Sequence, residues 1–240
     1  MTYKERPESL EGRWDILYRD YPEVYEEWGR ITKVPDFLEV LVARFPLQGK
    51  TLVDVGSGTG ISTFGLAKHA DFVIGIEVEE AMISVAREAA KAHGAGNVRF
   101  HLGDAEHLPL EDNSADAAMA ITLAGCDTRR AALEMERVVR PGGLVLYADV
   151  APGWYGGELE PVITGEPRDE TAPEGSRDAI LATLGYEAMD IFMDQDYGTV
   201  DRVVRTYGFI HSRRAIDYIK EHHVTTIRWK FRARFKHTTG

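Results

Sequence analysis

The chain has 240 residues, 44% hydrophobic and 28% charged, with a formal net charge of −11. That length suits one compact domain with a small addition, and the acidic balance opposes a broad grip on nucleic acid, which is held through phosphate contacts. No apolar run approaches the ~20 residues of a membrane helix, the N-terminus lacks a signal-peptide apolar core, and the one cysteine, Cys126, excludes an intramolecular disulfide and a cysteine metal cluster.

Residues 1–46 read as helical. Asp20-Tyr21-Pro22 stops one helix and restarts another, since proline suits a first helical position. Asp36 to Phe45 reads as a further amphipathic helix. Trp14, Tyr18, Tyr21, Tyr25 and Trp28 recur at spacings of four, three, four and three, so continuous helix would align them as one aromatic stripe. That stripe either packs the helices on a core or covers a ligand, and Tyr18 and Tyr25 are the candidates to touch one.

From residue 51 strand and helix signals alternate. Thr51 to Val55 is a short apolar run ending at glycines, a buried strand. A helix follows from about Ile61 to Lys68. Phe72 to Ile76 is a second strand, and alanine-rich Glu80 to His93 a helix ended by Gly94. Val98 to Leu102 and Ala115 to Ile121 are strands three and four. Asp127 or Thr128 caps a helix to about Val139, Pro141-Gly142-Gly143 stops it, and Leu144 to Ala148 is a fifth strand. Residues 151–175 hold glycine, proline and acidic punctuation and read as a loop. Ser176 to Leu184 reads as helix, Ile191 to Tyr197 as strand, and Thr199 to about Glu221 as helix broken near Gly208. Thr225 to Lys236 alternates Ile227, Trp229, Phe231, Ala233 and Phe235 with polar residues, a long strand with one wet face. Its basic residues (Arg228, Lys230, Arg232, Arg234, Lys236) are expected as solvated charges on an edge strand.

Strands joined by helical crossovers imply an α/β fold: a doubly wound, mostly parallel Rossmann-like sheet with helices on both faces. Ligands in such sheets bind beyond the carboxyl ends of the strands, at the switch point. Strand-ending residues are therefore the ones to read for chemistry.

Gly56, Gly58 and Gly60 stand after strand one and before a helix, where bare backbone lets a ligand approach closely. A dinucleotide fingerprint would place its third small residue at position 61, which is Ile61. Glu77 ends the second strand, 21 residues after Gly56, where an acid can accept from both ribose hydroxyls. Asp104 follows the third strand and could accept from an exocyclic amine, with the backbone of Ala105 at a ring edge.

The run Val53-Asp54-Val55-Gly56-Ser57-Gly58-Thr59-Gly60, then Glu77, then Gly103-Asp104-Ala105-Glu106-His107-Leu108-Pro109, then Arg140-Pro141-Gly142-Gly143, resembles the class I S-adenosylmethionine-dependent methyltransferases. Within them it is most similar to the small-molecule group that includes the ubiquinone/menaquinone C-methyltransferases. The resemblance implies a seven-stranded sheet whose last strand inserts antiparallel. It implies domain limits of 1–46 for an N-terminal helical substrate cap and 47–240 for the cofactor-binding domain, with 151–175 an active-site loop. The cofactor would be S-adenosylmethionine, leaving as S-adenosylhomocysteine. Gly56, Ser57, Gly58 and Gly60 would face its methionine part, and Asp54 would hold its amino end or the loop. Glu77 would take the ribose, Val78 would pack on adenine, and Asp104 and Ala105 would fix adenine. Thr122 and Leu123 would line the methyl end. Some relatives carry a histidine or aromatic pair after strand four. Here Thr122-Leu123-Ala124-Gly125 offers no general base.

On the acceptor side, Tyr21, Asp149 at the end of strand five, and Trp154 and Tyr155 in the following loop are candidates beside Tyr18 and Tyr25. The expected partner is a small-molecule methyl acceptor, with no metal, nucleic acid or membrane, in a cytoplasmic protein. Two other readings stay open. One is a non-catalytic S-adenosylmethionine- or nucleoside-binding protein. The other is a nicotinamide oxidoreductase, against which Ile61 argues. His211 is expected to be structural, and His222-His223 a solvated helix end.

Overall fold

The computed structural model describes residues 7–21, 23–24, 27–28 and 34–239. In chain order the elements begin α1 (Trp14–Asp20), α2 (Val34–Arg44), β1 (Thr51–Val55), α3 (Ile61–Leu66), β2 (Phe72–Glu77) and α4 (Glu80–His93). There follow β3 (Val98–Leu102), β4 (Ala115–Ile121), α5 (Thr128–Val138), β5 (Val139–Val150), α6 (Glu160–Thr164) and α7 (Arg177–Thr183). The chain ends with β6 (Glu187–Asp196), α8 (Val200–Val203), a π-helical segment (Val204–Gly208), α9 (Phe209–His211), α10 (Arg213–His222) and β7 (Thr226–His237).

The strands form one sheet in the order β3-β2-β1-β4-β5-β7-β6. The first five in sequence run parallel. β7 pairs antiparallel with β5, from Leu144 opposite His237 to Val150 opposite Phe231. Strand order reverses at β1 and β4, so their carboxyl ends open a crevice suited to a ligand.

The chain forms two compact units. The larger takes residues 34–150, 172–191 and 231–239, and the smaller takes the described residues of 1–33 with 151–171 and 192–230. In the larger unit one sheet face carries Val53, Val55, Ala118, Ala120, Val145 and Tyr147 against Ala131, Ala132, Met135 and Val138 of α5 and Leu181 of α7. Alanines on β4 let these helices approach, and each fully buried aliphatic side chain stabilises by ~1.5–3 kcal/mol. Asp127 and Ser176 fix the helix starts: Oδ1 of Asp127 accepts from Arg130 N at 2.9 Å and Oγ of Ser176 from Ala179 N at 3.3 Å.

Several expectations are corrected. β5 starts at Val139 and runs through Pro141-Gly142-Gly143, with a register shift between Ala115 and Ala117 on β4. Gly142 takes a φ of 78°, and a Cβ on Gly143 would lie 2.6 Å from the Asp116 carbonyl oxygen, so the two glycines allow an irregularity where a stop was expected. β7 is not an edge strand, because it lies between β5 and β6. Four of its five basic side chains are themselves half-buried or deeper and drawn into ion pairs: Lys230 with Glu170, Arg232 with Asp178 and Asp190, Arg234 with Asp178, and Lys236 with Glu136.

In the smaller unit Leu10, Leu17, Val24, Phe209 and Ile210 form a core on which Trp14, Tyr21 and Trp28 pack. Tyr21 meets Phe209 edge-on at 5.1 Å. Tyr18 lies in α1, and Pro22 and Tyr25 lie outside the described residues. The expected loop 151–175 contains a 3₁₀ turn (Gly157–Leu159) and α6, because Pro161 falls in the first turn of a helix, where its missing N–H costs nothing. Arg168 binds the segment from inside, donating to the carbonyls of Gly153 at 2.6 Å and Glu158 at 3.0 Å and lying 3.7 Å over the Trp154 ring. The helix expected to break at Gly208 instead widens into the π segment and breaks at Ser212, whose Oγ caps α10 by accepting from Ala215 N at 3.1 Å.

His211 is buried beside Tyr207 and Trp229, and burial pushes its imidazole down to about 4 from 6.5. Below pH 6.5 the unfolded chain takes up a proton that the folded chain refuses until near pH 4. Stability is therefore full above 6.5 and falls across that window, by up to about 3 kcal/mol at 1.36 kcal/mol per unit. Urea unfolding of His211→Leu over this range should show a flatter pH dependence than the wild type.

Candidate active site

β1 delivers Asp54 to the floor of the crevice, fully buried. Its Oδ2 accepts from Ser62 Oγ at 2.7 Å and Thr63 Oγ1 at 2.6 Å, both from the first turn of α3. Burial raises the Asp54 carboxyl pKa, and the two hydroxyls act against that rise. Asp54 thus fixes where α3 begins, and Ser62 and Thr63 are partners that the sequence reading did not assign. Hydroxyl residues in the first turn after a glycine run were the signal.

The turn between them is held by backbone. Gly56 N and Ser57 N both donate to Ile76 O, at 2.8 and 3.0 Å, and Gly60 N donates to Ser57 O at 2.9 Å. Gly56, Gly58 and Gly60 take φ of 76°, 54° and 91°, the left-handed region that disfavours a Cβ. Space agrees with conformation at two of them. A Cβ on Gly56 would lie 2.6 Å from Leu123 Cδ1, and one on Gly60 2.8 Å from Phe100 Cζ.

Glu77 is nine-tenths buried and closes the turn. Its Oε2 accepts from Gly58 N at 2.9 Å, while Oε1 accepts from Val78 N at 2.9 Å and Glu79 N at 3.1 Å. A carboxylate offers about four acceptor positions, so Oε2 keeps one. Val78 beside it is 63% exposed, and Leu102 at the end of β3 is 49% exposed. These two present an apolar surface at the carboxyl edge of the sheet.

Asp104 is exposed and orders its own loop: Oδ1 accepts from Glu106 N at 2.9 Å, and Glu106 Oε1 accepts from Asp127 N at 2.8 Å. Ala105 is half-buried against the α5 side of the core. Past β4, Thr122 is an exposed β-branched residue at a φ of 53°, held there by N–H donation to Ala148 O at 2.8 Å. Such a conformation costs about 1–3 kcal/mol and concentrates at functional sites. Leu123 turns inward against Gly56.

The structure therefore brings together Asp54, Gly56, Ser57, Gly58, Gly60 and Glu77 and places Leu123 against the same turn, with Thr122 its chain neighbour, tied to Ala148. Asp149 is the penultimate residue of β5, one past Ala148, and pairs with Arg177. Trp154 belongs to the smaller unit, where its Nε1 donates to Glu170 at 3.0 Å and its ring meets Phe192 at 5.8 Å. Tyr155, in the same unit, is 56% exposed. Among the described residues no three His, Cys, Asp or Glu side chains are grouped to hold a metal ion, and no helix is long and apolar enough to cross a membrane.

The residues present fit S-adenosylmethionine. Asp54 Oδ1 and Ser57 Oγ are buried without a hydrogen-bond partner among the described residues. The acceptors are acids, and no Lys or Arg stands between Val53 and Ile61. This set suits a ligand carrying an ammonium, a ribose diol and an amine, and it offers a pyrophosphate no positive charge.

A parallel sheet in the order found here, with β7 inserted antiparallel and a glycine turn tied to the acid ending β2, is the class I methyltransferase architecture. The chain belongs to the methyltransferase-domain family, whose profile matches residues 47–177. It is 34% identical over 153 residues to the arsenite methyltransferase of Halobacterium salinarum, covering 60% of this chain and 39% of that protein. It is 35% identical over 145 residues to the ubiquinone/menaquinone biosynthesis C-methyltransferase UbiE of Acidiphilium cryptum, covering 57% of this chain and 53% of that one. The matches thus span about half, or less, of these relatives' length. The solved structure of the YcgJ protein of Bacillus subtilis superposes with a TM-score of 0.59 at 20% identity, covering 85% of this chain and 98% of that one. It shares the fold.

Proposed function

We propose that this chain binds S-adenosylmethionine at the carboxyl edge of β1, β2 and β4 and transfers its methyl group to a small-molecule acceptor. The observation that carries the reading is the 2.9 Å bond from Gly58 N to Glu77 Oε2, which makes the glycine turn and the ribose-binding acid one preformed cradle. Glu77 accepts a ribose hydroxyl on its remaining lone pair, and Val78 packs on one face of adenine. Asp104 takes the adenine amine, with the Ala105 backbone at the ring edge. Gly56, Ser57, Gly58 and Gly60 pass the methionine part over bare backbone. Asp54 steadies the turn and offers Oδ1 toward the amino end. Thr122 and Leu123 border the methyl end. Bound S-adenosylmethionine supplies an already activated methyl on a sulfonium. The protein's task is alignment of a nucleophile behind it, and positioning of this kind is worth ~7–11 kcal/mol.

Tyr18, Tyr21, Tyr25, Asp149, Trp154 and Tyr155 are the acceptor-side candidates. The net charge of −11 favours a small molecule over nucleic acid. Calorimetric titration with S-adenosylhomocysteine is the direct test. Saturable one-to-one binding is expected, and no binding at millimolar ligand would remove the reading.

A further inference from the structure

Three acids and three arginines gather where β5, β6 and β7 meet the start of α7, all within the larger unit. Asp178 is filled: Arg234 reaches Oδ1 and Oδ2 at 2.7 and 2.8 Å, and Arg232 reaches Oδ2 at 3.2 Å. Asp190 is held by Arg232 at 2.7 and 3.0 Å in a two-pronged contact. Asp149 is different. Its Oδ1 accepts from Val150 N at 2.8 Å, and its Oδ2 meets a single guanidinium nitrogen, Nη1 of Arg177. Its side chain is 36% exposed against 13% for Asp178. Of the three acids, Asp149 alone combines single-pronged pairing with an open edge.

Its place in the fold gives that edge a use. Asp149 follows Ala148, whose carbonyl accepts the N–H of Thr122. It therefore stands at the strand end next to the residue that borders the methyl end in the proposed reading, on which this inference rests. Other charged or titratable groups nearby are few. Arg232 is its register partner on β7 but is turned to Asp178 and Asp190. Tyr147 lies two residues earlier on β5, and Cys126, in the β4–α5 loop, shares the field of Arg177. Burial raises the Asp149 carboxyl pKa above its ordinary value, against the opposing pull of Arg177 and the Val150 N–H, so its carboxylate is a better base than a solvated aspartate.

We propose that Asp149 accepts the proton released when the nucleophile is methylated, that Arg177 is its positioning residue, and that the acceptor presents its nucleophile as an O–H, N–H or S–H group. The nucleophile's electron pair forms the bond to the methyl carbon. The carbon–sulfur bond breaks with its pair left on sulfur, giving S-adenosylhomocysteine, and the proton passes to Asp149 and then to water. This supplies the base that the residues after β4 lack.

The test incubates the 240-residue chain with S-adenosylmethionine tritiated on its methyl group and a mixed metabolite extract. The labelled product identifies the acceptor for pH profiles, and S-adenosylhomocysteine affinity is measured in parallel. Asp149→Asn should bind S-adenosylhomocysteine like the wild type but transfer about 100-fold more slowly, within the range of general-base contributions. Arg177→Gln should move the acidic limb of the kcat/KM profile to higher pH, because the carboxylate loses its opposite charge. Arg177→Lys should leave that limb near its wild-type position. Full-rate transfer by Asp149→Asn overturns the proposal, as does an unmoved limb in Arg177→Gln. A wild type that binds S-adenosylhomocysteine yet labels nothing overturns it while sparing the cofactor site, whereas no binding at all overturns the cofactor reading itself.

Discussion

Asp178→Ala is expected to destabilise the fold by about 3 kcal/mol, the range found when one partner of a largely buried ion pair is removed. Asp178 is the shared acid of β7: both Arg232 and Arg234 bond to it, and their side chains are 19% and 15% exposed. Removing it leaves Arg234 with the Tyr186 carbonyl at 3.3 Å as its other hydrogen-bond partner. Asp178 also lies in the first turn of α7, where a negative charge favours the helix. Burial opposes its ionisation, yet Arg234 and Arg232 hold its carboxyl below 3.8. A depressed acid of this kind contributes stability that is present above pH 3.8 and lost as pH falls through the folded value. The gap between wild type and Asp178→Ala should therefore be full at neutral pH and close below pH 3.8. Urea unfolding at neutral and acidic pH measures it, and a neutral-pH difference under about 1 kcal/mol would show that the network is surface decoration.

This cluster also marks the limit of what the sequence discloses. The limits of β3, β4 and α4 follow from local pattern, because apolar runs bounded by glycine and a 3.6-residue stripe are set within a dozen residues. The alternation of Thr226–His237 likewise announces a strand. It does not announce the neighbours. The acids that take up Lys236, Arg232 and Arg234 stand at Glu136, Asp178 and Asp190, up to 100 residues away. Charges that read as solvent-facing are in fact paired, because strand insertion is decided by non-local pairing. The same holds within the site. The strand-end positions of Gly56, Glu77 and Asp104 are legible, since apolar runs that end in glycine or an acid mark the carboxyl edge of the sheet. The left-handed φ of Thr122 is not, because a β-branched residue takes it only under the constraint of its bond to Ala148. Ser62 and Thr63 as partners of Asp54 depend on the path of the turn, which backbone hydrogen bonds to Ile76 define. The smaller unit draws on three separated chain segments, and no local periodicity carries that information.

Glu77→Ala should weaken S-adenosylhomocysteine binding by about 100-fold, far more than Asp104→Ala. Both acids are assigned to ligand contacts, but their surroundings differ. Asp104 is exposed, and its Oδ1 serves one loop N–H. Its loss leaves a site that water refills, so a severalfold effect is expected. Glu77 is 9% exposed and serves three backbone N–H groups as well as the proposed ribose contact. Hydrogen bonds to charged groups are each worth ~1.5–3 kcal/mol. Losing the ribose contact and the Gly58 tie together therefore costs about 3 kcal/mol of affinity, which is the 100-fold stated. Part of that loss is preorganisation, because without the tie Gly58 must be ordered by the ligand at the moment of binding. Glu77→Gln separates the two contributions. Its amide oxygen can still accept from Val78 N and Glu79 N, while the amide nitrogen in the place of Oε2 faces the Gly58 N–H donor to donor yet can still reach the ribose by donating to a hydroxyl oxygen. An affinity for Glu77→Gln near that of Glu77→Ala would mean that the tie to Gly58 dominates, and an affinity midway between Ala and wild type that the ribose contact does. Calorimetry with S-adenosylhomocysteine on the three proteins, beside thermal unfolding to check that each is folded, decides between them, and an unchanged affinity in Glu77→Ala would take Glu77 out of the site.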